Sequence, residues 1–410
     1  MQKPRAGMAF IFITLLIDVL GFGIVIPVLP KLVAELARGD TANGARFFGL
    51  LLASYGVMQF FFSPILGGLS DRYGRRPVLL VSLAFTSLEF FVLANAHSIW
   101  ILFAGRILTG ITGASFTAAS AYIADISPPD KRAKNFGIIG AAFGAGFILG
   151  PAAGGLLGHF SLRAPFWAAG ILSLLNCLYG AFVLPESLPK EDRRRFSMRN
   201  ANPVAGLAIL GRFGWVRLMA VGILLVGLAQ QSLQATWVLY TTYRFQWTEL
   251  DNGLSLSLVG LASGAAQAFL TGLLVRKVGE PRTIMFGMVF SIIGFTGFAL
   301  ATNGWIMAAV ILVWSLAGVS GPATQSLISR EYGANEQGAA QGALTSLQSL
   351  TGVFGPLLAT GVFSYFTAKT TPVLIPGAAF FVSALLTALA LVVALFAFRN
   401  VPARKVSEDR

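Results

Sequence analysis

The stretch Gly67-Gly68-Leu69-Ser70-Asp71-Arg72-Tyr73-Gly74-Arg75-Arg76-Pro77 sets one acid and three arginines between two apolar runs, 47–69 and 77–96. A helix crossing hydrocarbon needs about 20 mostly apolar residues, and each run supplies them. No water is available there to solvate the backbone, so the runs must be helices that satisfy their own N–H and C=O groups. A turn this short returns the chain directly through the membrane. The stretch therefore reads as a charged loop joining two spans of an all-α, polytopic membrane protein.

Composition extends that reading to the whole chain. Of 410 residues, 55% are hydrophobic and 11% charged, whereas a soluble domain carries roughly a quarter charged residues. Apolar runs fall at approximately 8–29, 47–69, 77–96, 99–122, 135–158, 165–184, 213–237, 253–275, 283–301, 304–326, 338–362 and 376–398, giving twelve expected spans. The longest polar segment, Pro185 to Arg212, contains Glu191-Asp192-Arg193-Arg194-Arg195 and divides the chain near its centre. The expected organisation is a six-helix bundle over 1–184, a linker over 185–212, and a second six-helix bundle with a short tail over 213–410. The first run is long enough to remain as a span rather than be cleaved as a signal peptide, and neither terminus carries a lipidation signature. Cys177 is the single cysteine, which excludes an intramolecular disulfide and a cysteine metal cluster.

The net charge of +13 raises the question of a nucleic-acid partner, and the placement of the charges answers it. Assigning loops alternately to two sides puts 23 of the 30 basic residues on the side holding both termini and the central segment. Six fall opposite (Lys31, Arg38, Arg46, Arg163, Arg244 and Lys369), and one, Arg106, falls deep inside a span, while Arg217 at the start of span seven is counted with its adjoining loop. The richer side is the cytoplasmic one by the positive-inside rule, so orientation accounts for the charge without nucleic acid.

A shift of 205 residues superposes Gly67 on Gly272, Gly74 on Gly279, Gly137 on Gly342, and Gly150-Pro151 on Gly355-Pro356. It also lays the charged loop over Arg276-Lys277-Val278-Gly279-Glu280-Pro281 and Asp125 over Arg330. Two related bundles with a site between them are a common design for alternating access.

The loop at 67–77 resembles the signature loop of the major facilitator superfamily, and nearly the whole chain is similar to its twelve-span drug:proton antiporters, closest to the tetracycline-efflux type. The resemblance implies that Asp71, Arg72, Arg75 and Arg76 form a cytoplasmic latch, with the acid engaging the other half and the basic residues pairing near Asp125 at the end of span four. The charges alone would also serve topology, which suits Arg72 in particular. Span five, with Gly140, Gly144, Gly146, Gly150-Pro151 and Gly154-Gly155, resembles the antiporter motif of the same family. Small residues four apart let backbones approach closely, so tight packing at Gly144, Gly150, Pro151 and Gly154 is the expectation from the residues themselves.

Polar groups deep in spans are costly unless paired or protonated. Asp18 lies ten residues into span one, ahead of Gly21-Phe22-Gly23-Ile24-Val25-Ile26-Pro27, a run similar to that of the tetracycline-type exporters. Glu89 lies about 18 Å along span three and Arg106 about 10 Å into span four. The permanently charged guanidinium needs a carboxylate, carbonyls or water. Asp18, Glu89 and Arg106 are the candidate proton-coupling set, and by the resemblance Arg106 holds charge balance while a carboxylate gains and loses a proton. Gln59, Gln230, Gln234, Trp237 and Gln267 are candidate substrate contacts, each also readable as interhelical glue or core.

Two departures from the tetracycline type stand out. Ser263 occupies a histidine position in span eight, and Ser291 an aspartate position in span nine. Both weaken a carry-over to metal-chelated tetracycline. His97 and His159 fall near the external ends of spans and make no expected metal pair.

The favoured expectation is a proton-coupled antiporter that exports an amphipathic organic compound or antibiotic by alternating access. It would use no cofactor, work as a monomer among membrane lipid in the bacterial inner membrane, and take a small organic substrate and protons as its only partners. Proton-coupled uptake of a nutrient is a rival that transport direction would separate, and a channel or nonconducting scaffold is another that saturable, gradient-dependent flux would exclude. No phosphate-binding loop and no catalytic set of nucleophile and base is readable, so an enzyme is not expected.

Overall fold

The computed structural model describes residues 4–37, 40–113, 115–127, 132–193, 196, 210–211, 213–329 and 337–399. Arg330, the expected counterpart of Asp125, and most of the central polar segment lie outside the described residues. The elements are α1 (Pro4–Val25), α2 (Leu29–Leu36), α3 (Thr41–Tyr73), α4 (Arg75–Ala94), α5 (Ile99–Thr112), α6 (Ser115–Ile126), α7 (Arg132–Phe160), α8 (Ala164–Val183), α9 (Gly214–Phe245), α10 (Glu249–Val278), α11 (Glu280–Leu300), α12 (Gly304–Ser315), α13 (Ser320–Ser329), α14 (Gln337–Thr367) and α15 (Ala378–Arg399). Among the described residues, eleven helices or joined pairs are long and apolar enough to cross a membrane, and the bent pair α1–α2 makes twelve.

Local sequence explains where these helices start and break. Side-chain caps at Asp40, Ser98, Thr248 and Asn303 start α3, α5, α10 and α12, and Thr248 with Asp251 completes a capping box. Pro27 removes a ladder donor after α1, and Pro30 opens α2, so the first span bends by 46° rather than running straight through. Spans four and ten also depart from the continuous helices expected. The first breaks at Gly113, which caps α5. The second passes through a 3-10 turn at Leu316–Val319 before α13. Gly113 and Gly318 are 205 residues apart, so the repeat extends to the breaks. Pro322 adds a reason in span ten, because its ring crowds the carbonyl of Gly318 four residues earlier.

The packing is uneven from one end of the molecule to the other. One hydrophobic cluster joins Val28, Phe48 and Phe90 to Trp237, Phe298 and Phe380, drawing on both sides of the central segment. Toward the end that carries the 67–77 loop it gives way to two separate clusters. Phe10, Leu79 and Tyr122 belong to one, and Trp215, Met288 and Ala394 to the other. At the opposite end α7 packs on α10 and α3 on α14. A Cβ on Gly155 would lie 3.1 Å from Gly253 Cα, and one on Gly56 only 2.9 Å from Gly352 O. Toward the loop end, a Cβ at Gly140, Gly144, Gly264 or Gly342 would meet nothing within 4 Å among the described residues. The two groups of helices thus touch at one end and stand apart at the other.

The small residues of α7 serve both contacts. Gly146, Gly150 and Gly154 receive α1, with a Cβ on Gly23 reaching 2.9 Å from Gly150 Cα and 3.1 Å from Pro151 Cδ. Gly155 and Gly158 receive α10. Gly144, expected to pack, faces open space instead, because it lies past the level at which α7 and α10 diverge.

Candidate functional site: a buried charge cluster beside an open cleft

Asp18, Glu89 and Arg106 come together inside the first group of helices. Glu89 on α4 is fully buried, and Arg106 on α5 and Asp18 on α1 are each 4% exposed. The Arg106 Nε lies 3.3 Å from Glu89 Oε1. Neither Glu89 oxygen nor Arg106 Nε forms an aligned hydrogen bond among the described residues, so proximity of charge, rather than a fork of directed bonds, holds the pair. Asp18 Oδ1 is likewise buried without a hydrogen bond, and Ser115 at the start of α6 is the polar neighbour of this carboxyl.

Tyr55 on α3 links the members of the cluster, and sequence reasoning missed it. Its ring lies 5.9 Å from Arg106 Cζ, its hydroxyl accepts from Gln59 Nε2 at 3.0 Å, and it stands in the combined field of Arg106, Glu89 and Asp18. Phe22 stacks edgewise on both Tyr55 and Phe90, each at 6.3 Å. A signal existed, since Tyr55 and Gln59 are one helical turn apart and share a face. A guanidinium over an aromatic face is attracted to its ring quadrupole.

The remaining candidates divide between exposed or half-buried positions and the core. Gln234 is exposed and Gln230 half-buried on α9, and Gln267 on α10 is exposed with Nε2 3.4 Å from Gly318 O. Trp237 does not line a route in this conformation. It is fully buried, donates from Nε1 to Ser255 Oγ at 3.0 Å, and packs edgewise on Phe298 at 5.1 Å. Every residue from Ala235 to Thr241 is buried, so α9 is enclosed on all sides at that level, and sharing a face with Gln230 gives no access. Ser263 bonds Ser315 across α10 and α12 at 3.3 Å, and Ser291 is buried on α11. His97 and His159 are both exposed.

At the loop, Arg75 pairs with Asp71 and with Asp125, the latter at 3.0 Å. Arg76 Nη2 donates to Ala181 O, and Arg72 lies over the Tyr73 ring at 5.1 Å. Asp71, expected to engage the other half, is paired here within its own half. That follows from the open end, where the partner helices stand away.

A buried acid–base cluster beside a cleft between two related groups of helices defines a secondary transporter. Residues 11–356 and 219–410 match the Major Facilitator Superfamily. The chain is 41% identical to "Tetracycline resistance protein, class C" of Escherichia coli, over 88% of this chain and 91% of that protein. It is 39% identical to the class G protein of Vibrio anguillarum, over 85% of this chain and 88% of that protein. Among solved structures it is similar to the human organic anion transporter MFSD10 (TETRAN), at 26% identity and a TM-score of 0.71 over 96% of this chain and 100% of that one. The nucleoside transporter NupG shares the fold, with a TM-score of 0.78 at 13% identity over 96% of this chain and 99% of that one.

The chain belongs to the Major Facilitator Superfamily. It is a multi-pass protein of the bacterial inner membrane and a proton-coupled antiporter of the exporter type, not a catalytic enzyme.

Proposed function

We propose that this antiporter exports an amphipathic organic antibiotic, with Asp18 and Glu89 exchanging protons and Arg106 tuning their affinity. The observation that supports this reading is the Glu89–Arg106 pair, buried inside the first group of helices with Asp18 and Tyr55 beside it. Permanent burial of such a pair is weak evidence for stability, but a carboxylate whose partner can move away is a means of taking up and releasing a proton. Both termini and the 67–77 loop face the cytoplasm in this reading, since the basic residues concentrate there, so the cleft is open inward. The bundles 1–184 and 213–410 rock about their external contact, in a monomer surrounded by lipid.

Gln59, Gln230, Gln234 and Gln267 offer both donors and acceptors to substrate. Tetracyclines are the first compounds to test, because the relatives above carry resistance to them by name. Serines at 263 and 291, in place of a histidine and an aspartate, weigh against a metal-chelated form of the substrate. Everted membrane vesicles with an imposed pH gradient test the proposal: saturable substrate accumulation that collapses with the gradient supports it. Accumulation only in right-side-out vesicles would establish uptake instead, and unsaturable flux would establish a channel.

A further inference from the structure

Glu186, two residues beyond the cap of α8, does more than mark the start of the linker. Its Oε1 accepts the backbone N–H of Arg75 at 2.8 Å, Ser187 at 3.0 Å and Leu188 at 3.1 Å, and its Oε2 accepts the N–H of Arg76 at 3.3 Å. The α4 helix begins at Arg75 after Gly74, which offers no side-chain cap. Orphan donors at a helix start are ordinarily met by a residue just before it. Here a carboxylate more than a hundred residues away meets them, with the charge favourable at the positive end of the helix dipole.

Gly74 has φ +108°, and a Cβ there would sit 2.8 Å from Glu186 Cδ and 3.0 Å from Arg193 Nη2. The glycine therefore gives both the turn and the room for the acid. Around it, Ser187 Oγ donates to Asp125 Oδ2 at 3.0 Å, the same oxygen that Arg75 Nε reaches. Phe196 covers Gly68, where a Cβ would lie 2.9 Å from Cδ2. The first residues of the linker thus form a strap across the latch. At the repeat-related turn, Gly279 has φ +81° and also caps its helix without a side chain, yet a Cβ there meets only Pro281 Cδ at 3.9 Å. Among the described residues the strap belongs to one half only.

We infer that Glu186 is a positioning residue of the transport cycle, capping α4 from the linker and holding the 67–77 loop so that Arg75 bridges Asp71 and Asp125. This rests on the latch reading of Asp71, under which a correctly set loop speeds closure of the cytoplasmic end. Glu186 touches neither substrate nor the buried acids, so its loss slows turnover without weakening substrate binding.

The test uses full-length protein in liposomes, with Cys177→Ala and spin labels at Gly140→Cys and Lys277→Cys to report the cytoplasmic opening. Glu186→Ala is expected to lower kcat about tenfold at unchanged KM and to move the distance distribution. Glu186→Gln keeps one acceptor oxygen and is expected to fall about threefold, while Glu191→Ala, an exposed neighbour, stays at the wild-type rate. Combining Glu186→Gln with Asp71→Asn should slow transport no further than Asp71→Asn alone, because both act through one loop. Should Glu186→Ala fail to fold, Glu186→Gln decides: wild-type kcat and distances there overturn the inference. Asp71→Asn separates the two readings. If it slows turnover and Glu186→Gln does not, only the role of Glu186 falls; if neither changes anything, the latch itself falls.

Discussion

Arg106 and Glu89 face each other at 3.3 Å on neighbouring helices, with the acid wholly buried and the base nearly so. Removing one partner strands the other charge, at a cost of about 3–5 kcal/mol, whereas replacing both with apolar residues of similar volume is often neutral. Arg106→Ala should therefore lower the melting temperature in detergent, and Glu89→Leu with Arg106→Met should recover most of it while transport stays lost. A double variant that still accumulated substrate against a pH gradient would remove the pair from the coupling scheme.

Asp18→Asn keeps size and hydrogen bonding but abolishes titration. Folding should persist and zero-gradient substrate exchange should continue, while accumulation driven by a pH gradient is lost. Reconstituted liposomes compare the two modes directly. Wild-type gradient-driven accumulation rejects an essential coupling role, and loss of both modes in folded protein assigns Asp18 to substrate binding or conformational exchange.

These acids and the arginine were legible in the sequence because a charge within an apolar run has no solvent to explain it. Tyr55 was not, since an aromatic residue in such a run looks like any lipid-facing or core side chain until Arg106 is seen beside it. The twelve spans could be read from length and hydropathy, but hydropathy does not register the backbone breaks at Gly113 and Gly318. Glu186 was hidden by its setting, because an acid in a polar linker gives no sign of which helix it caps. The misreading of Trp237 has another cause. A helical wheel assigns faces relative to one axis, and enclosure of α9 from Ala235 to Thr241 depends on all the helices around it.

Asp71 is 43% exposed on its side chain and, among the described residues, paired only within its own half, so the contact with the other half that the proposed latch requires is not made by them in this conformation. Losing its charge should bias the equilibrium between the two ends by about 1–3 kcal/mol. Asp71→Asn is expected to cut turnover strongly while substrate affinity, measured by equilibrium binding, holds. Normal turnover with normal affinity would sink the latch assignment.

The end opposite the 67–77 loop, external in the proposed orientation, offers the most direct test of rocking. Lys31 on α2 and Glu249 at the start of α10 form an ion pair between residues 218 apart in sequence, and Arg46 Nε donates to Ser364 Oγ at 2.9 Å between α3 and α14. Glu249 is mostly buried in this contact, its side chain 12% exposed, while that of Lys31 is 55% exposed. An ion pair with one end in solvent contributes little by itself, about 0–1 kcal/mol, so charge removal in Glu249→Gln should alter transport only modestly. A covalent tie is different, because opening to the outside requires these groups to part. A direct disulfide needs Cα atoms within about 7 Å, whereas a bifunctional reagent can replace the length of the two side chains that meet here. A short bifunctional methanethiosulfonate applied to Lys31→Cys with Glu249→Cys, in the Cys177→Ala background, therefore suits the distance. The cross-linked protein should still bind substrate from the cytoplasmic side but lose transport, with recovery on reduction. Each single-cysteine variant treated alike should keep its rate, which separates tethering from modification. Undiminished transport with the cross-link verified by mass spectrometry would show that the external contact does not open during the cycle, and that the two groups of helices do not rock about it.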